Sequence, residues 1–102
     1  MFGKRGQHKG ELIIPPIAVG DPSSKEVIRG WVANGDFHVS LDLVWTDPAT
    51  WGVAFADIAR HLADAYHASK GLDKDETIES ILALLHAELV SPTDTPTGQL
   101  ID

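Results

Sequence analysis

The chain has 102 residues, 43% of them hydrophobic and 23% charged, with no cysteine and a formal net charge of −7 at pH 7. That length makes one domain, large enough for a core without metal or disulfide. The missing cysteines exclude a disulfide framework, a thiol nucleophile and a Cys-based zinc site, and the acidic balance disfavours nucleic acid and anionic membrane.

Residues 1–10 read as a flexible basic arm: Lys4, Arg5 and Lys9 stand there without an acid. Three charges give at most weak, salt-sensitive phosphate binding. From Glu11 onward all fifteen acids face five lysines and arginines, a balance near −10. Met1–Gly6 lack the apolar stretch of a secretion signal, and no apolar run approaches the roughly eighteen residues of a membrane span. A cytoplasmic protein is expected.

The folded body is expected over residues 11–91. Leu12, Ile13 and Ile14 have strand chemistry, cut short by Pro15 and Pro16, and predict a short extended segment or edge strand. Asp21-Pro22 then offers a capping acid and a proline at a first helical position, with Val27, Ile28 and Trp31 at helical spacing. Asn34-Gly35 is also a strong hairpin signal. Because Val27–Val32 do not alternate cleanly, the expectation is a helix ending at Asn34-Gly35, with the hairpin as the competing reading.

Phe37, Val39, Leu41, Leu43 and Trp45 alternate with His38, Ser40 and Asp42, the pattern of a strand wet on one face. It runs straight into the longest signal in the chain. Asp47 and Pro48 start a helix that Gly71 stops, and Trp51, Phe55, Ile58, Leu62 and Tyr66 form its apolar stripe. Gly52, in its first turn, suggests a close approach to the helix backbone, most simply by Trp45 or Trp51. Asp73 with Glu76 then caps a third helix whose stripe is Ile78, Ile81, Leu82, Leu85 and Leu89, closed by Pro92. The short link at Gly71-Leu72 predicts an antiparallel helical hairpin. Residues 92–102 form a tail, either loose or pinned by Leu100 and Ile101.

The expected fold is therefore α+β: a small two- to three-stranded sheet packed against a helical hairpin, in the order β-α-β-α-α. So small a sheet is marginal alone, and an open outer strand edge would invite a second copy.

Candidate chemistry is sparse. Asp57, His61 and Asp64 share one arc of the long helix, where carboxylates and an imidazole could hold a metal or move a proton. The plainer reading pairs Asp57 with His61 and Arg60 with Asp64 as ordinary four-residue helix contacts. Trp51, with the other aromatics, could line a ligand pocket; such residues more often form the core of a small domain. No metalloprotease, phosphate-loop or nucleophile-elbow motif is present.

Glu11-Leu12-Ile13-Ile14-Pro15-Pro16, Thr46-Asp47-Pro48 with Trp51-Gly52, Asp57–His61 and Pro92-Thr93-Asp94 together resemble a small bacterial family of uncharacterised proteins, a domain of unknown function. The resemblance covers most of residues 11–98 and implies a stand-alone bacterial cytosolic protein, with no site residues to transfer. The expected role is a non-enzymatic protein-interaction module that homodimerises or binds a protein partner, without a cofactor. The alternative is a ligand- or metal-binding protein or enzyme using Asp57, His61, Asp64 and Trp51.

Overall fold

The computed structural model describes residues 8–93 and the backbone of strand 97–101. The expected flexible arm falls mostly outside those residues. In chain order the elements are α1 (Pro16–Val19), β1 (Ile28–Ala33), β2 (Asp36–Asp42), α2 (Thr50–Lys70), α3 (Lys74–Val90) and β3 (Thr97–Ile101). The protein is α+β as expected, and the run strand–helix–helix from β2 to α3 matches the sequence reading.

Residues 21–34 depart from it: they form no helix. Asp21 instead closes a turn, its carboxylate accepting from the Ser23 N–H at 2.9 Å and the Ser23 hydroxyl at 2.8 Å. These two bonds, the hydroxyl's first, hold its carboxyl below the usual carboxylate range. Ile28–Ala33 then pair antiparallel with Asp36–Leu41 in a β-hairpin. Asn34 (φ 54°) and Gly35 (φ 79°) both take positive φ, as a two-residue type I′ turn requires.

Alternation in β1 was masked by one glycine. Ile28, Gly30 and Val32 share a face with Leu41, Val39 and Phe37. A Cβ on Gly30 would lie 2.8 Å from the Phe37 ring, so this ring occupies the place an apolar β1 side chain would take.

Leu12–Ile14 form no strand. They run as exposed extended chain into the single-turn helix α1, and the prolines leave no ladder to build. The parallel partner of β2 is β3: His38–Asp42 pair with Thr97–Ile101, giving the sheet order β1-β2-β3. The tail is thus joined to the sheet, and β2, expected to have an open edge, is the central strand.

The helical hairpin forms as expected, but Asp47 does not cap α2: the helix begins at Thr50 with Ala49 at its N-cap and no side-chain cap bond, and Pro48 lies in the turn ahead of it. Asp47 accepts from the Ala49 N–H at 3.0 Å, and tight turns at Asp47, Pro48 and Ala49 lead into α2. Gly71 ends α2 in the left-handed region (φ 72°), donating its N–H to the His67 carbonyl. His67 Nδ1 donates to the Leu72 carbonyl at 2.9 Å, tying the link back to the helix. Asp73 accepts from the Glu76 N–H at 2.9 Å and caps α3, whose first turn carries Asp75 and Glu76 near the positive end of its dipole. Ala59 and Ala63 are buried, so the small side chains on α2 are the ones enclosed in the fold.

Sheet and hairpin make no close backbone approach within one chain. Among the described residues no strand Cα lies within 8 Å of a Cα of α2 or α3; strands approach strands, and α2 approaches α3. The link 43–49 holds the two units apart, with Trp45 set edge-on against Trp51 at 5.0 Å between ring centroids. Gly52 has open space where its side chain would be, so the expected close contact at that glycine is also absent. The two indoles meet each other instead.

Candidate interaction surface

Two apolar layers face outward. On the sheet, Val32 is 81% and Phe37 60% exposed, beside half-buried Ile28, Val39 and Leu41. On the hairpin, the α2 stripe expected to be the dry wall of the core is open: Phe55, Ile58, Leu62 and Tyr66 are each at least 40% exposed. Tyr66 joins that stripe to a groove of about 720 Å³ walled by Leu72, Ile81, Leu84 and Leu85 and rimmed by Asp73, Glu76 and Glu88. α3 also exposes Leu82 and Leu89, so it is apolar on several sides, the composition of a helix with neighbours all round.

The dimensions agree. A compact chain of 11.0 kDa has about 5,600 Å² of accessible surface, whereas this one has 8791 Å². Its radius of gyration is 15.7 Å, against roughly 13 Å for a compact domain of this length. The chain thus exposes about 3,000 Å² more than a compact one, the segment ahead of β1 included, where Leu12, Ile13, Ile14, Ile17 and Val19 are each at least 63% exposed. Ala59 and Ala63 are the buried hydrophobic residues among those described.

The N-terminal segment is fastened to β1 by charge. Arg29 Nη1 donates to Glu11 Oε2 at 2.6 Å and Arg29 Nε to Glu26 Oε2 at 2.9 Å, with the guanidinium 6.0 Å from the Trp31 ring centroid. The bonds to Glu26 and then Glu11 raise the arginine's already high pKa further. His8 packs edge-on against the other part of this cluster, 5.1 Å from Trp31. Trp31 is thus a strand residue on the polar side of the sheet, where the sequence suggested the inner face of a helix.

The residues singled out for chemistry are not drawn together. Asp57 pairs with Arg60 at 3.3 Å, one turn along α2, instead of with His61. Asp64 reaches across the hairpin to Lys74 at 3.3 Å, instead of to Arg60. His61 is exposed between them. Trp51 is half-buried against Trp45 and Phe55, the latter at 6.1 Å. Among the described residues no three His, Cys, Asp or Glu side chains cluster closely enough to hold a metal ion, and no helix is long and apolar enough to cross a membrane.

Residues 11–93 match the family described as a domain of unknown function, DUF5076. The chain belongs to that family. Among solved structures it is similar to a protein of the photosynthetic bacterium Rhodopseudomonas palustrus CGA009, provisionally named a pyruvate dehydrogenase. The two are 33% identical, with a TM-score of 0.72 over 90% of this chain and 95% of the other. No curated protein matches the chain.

Sequence reasoning found both apolar stripes and missed that they stay uncovered. Periodicity shows which side of an element is dry, not which element dries it. One signal was available: the leucines of α3 extend beyond a single stripe.

Proposed function

We propose that this protein is a non-enzymatic interaction module whose folding unit is a homodimer. The observation that carries the reading is the set of large apolar side chains left open on the sheet and on the hairpin, in a chain that exposes about 3,000 Å² more than a compact one of its mass. Obligate homodimer interfaces run from about 2,000 to 5,000 Å² in total, about 1,000 to 2,500 Å² from each copy, and are more hydrophobic than other interfaces, so a second copy can cover a large part of that surface. The sequence reading based dimerisation on an open outer edge of the sheet; β3 adds a strand beside β2, and the support here comes from the open faces instead.

Acidic side chains rim these faces, at Asp73, Glu76 and Glu88 around the hairpin groove. On assembly they would form an acidic exterior that any further protein partner meets. Asp57 and Asp64 are each engaged by a separate surface cation, which leaves His61 without the neighbours that acid–base work requires.

Light scattering on the purified protein tests this. The expected mass is twice the 11.0 kDa chain mass at micromolar concentration. A monomer with cooperative unfolding would discard the reading.

A further inference from the structure

We infer that the two copies exchange faces, the sheet of each lying over the helical hairpin of its partner; this rests on the dimer proposed above. Each unit carries an open apolar face, and α3 adds further exposed leucines to the hairpin. The sheet turns Ile28, Val32, Phe37, Val39 and Leu41 to one side, and the hairpin turns Phe55, Ile58, Leu62 and Tyr66 outward. Such layers are stable when a second layer covers them, and a sheet covered on one face by helices is the ordinary α+β solution.

Within one chain that solution is not formed. The link 43–49 is seven residues long and braced twice, by the Asp47 carboxylate on the Ala49 N–H and by the Trp45–Trp51 contact. Among the described residues sheet and hairpin make no close backbone approach across it.

The two layers also match in size. Three strands spaced about 4.8 Å apart and two helices about 10 Å apart have similar widths. α2, with 21 residues, is about 31 Å long, enough to underlie the seven-residue β2. A two-fold axis that places one sheet on the partner's hairpin necessarily places the other sheet on the first hairpin. One contact type then covers both apolar faces on both chains. Pairing hairpin with hairpin alone would cover neither sheet, and would bring two α3 helices carrying Asp75, Glu76, Glu79 and Glu88 together.

The test uses the full chain. Isotope-labelled and unlabelled protein are mixed, unfolded, refolded together, and examined by filtered NOE spectroscopy that records contacts between chains only. Exchange predicts NOEs between the methyls of Val39 or Leu41 in one chain and those of Ile58 or Leu62 in the other. A dimer whose inter-chain NOEs join only hairpin to hairpin, or only sheet to sheet, would overturn the exchange and leave the dimer standing. A monomeric mass on the same sample would overturn both.

Discussion

Leu62→Ala separates a lone fold from an assembled one through its magnitude. Leu62 lies mid-way along α2 on the open stripe and is 40% exposed in one chain. Full burial of a leucine is worth about 1.5–3 kcal/mol, so truncating a side chain left this open should cost roughly 1 kcal/mol. If a second copy's sheet covers the stripe, the same truncation removes fully buried methyls and leaves a cavity. Leucine-to-alanine changes in such sites cost about 2–5 kcal/mol. The measurement is urea unfolding followed by circular dichroism at fixed protein concentration, with Leu12→Ala as the control. Leu12 is 88% exposed in the extended segment ahead of α1, and its truncation should move stability by about 0.5 kcal/mol or less. A loss near 3 kcal/mol for Leu62→Ala is expected. A loss of about 1 kcal/mol or less, with the mass unchanged, would refute the claim that this stripe is covered.

Four further outcomes follow from particular contacts. Gly30→Ala should destabilise by about 1–2 kcal/mol and shift the Phe37 ring resonances, because the new Cβ would sit 2.8 Å from that ring; an unshifted Phe37 spectrum would contradict the close approach. Asp73→Ala should cost about 1 kcal/mol in unfolding experiments and speed amide exchange at Glu76, whose N–H it leaves without an acceptor. The Asp21 carboxyl, read by NMR titration, should show a midpoint below 3.8, the Ser23 bonds favouring its charged form. With the folded value depressed, its stabilising effect is present above the unfolded pKa and is lost as pH falls through the folded one, so the turn at residues 21–24 should loosen only in strong acid. Zinc added in a thermal-shift assay should move wild type and His61→Ala alike; a shift that only the wild type shows would restore the Asp57–His61–Asp64 face as a metal site.

Local structure was largely legible, element by element. The glycine stop of α2, the capping of α3 by Asp73 and the alternation of β2 all have short-range causes within a few residues of the chain, whereas Asp47-Pro48 open only the turn that leads to Thr50. The reading failed where a local rule had two answers. Asp21-Pro22 caps a turn as readily as a helix, and the deciding residue, Gly30, looked like a break in alternation until Phe37 was seen to fill its place. Long-range facts were not legible at all. Nothing around Leu100 announces that the tail pairs parallel with β2, since such pairing depends on where the hairpin delivers it. Likewise Asp64 forms its ion pair with Lys74, ten positions away, because the αα turn brings them together. For the candidate site, spacing on a single helix placed Asp57, His61 and Asp64 on one arc correctly but said nothing of the cations that draw the two acids apart.

The claim on which the account turns is that one copy of this chain is half of a folded unit. The concentration dependence of unfolding tests it most directly. For a dimer that unfolds to two separate chains, each tenfold dilution lowers apparent stability by about 1.4 kcal/mol. With urea slopes of about 1–3 kcal/mol per molar, the midpoint should fall by about 0.5–1.4 M per decade between 100 and 1 μM protein, both order-of-magnitude working concentrations. A midpoint that stays fixed over those two decades would mean that the single chain folds alone, and would contradict the account.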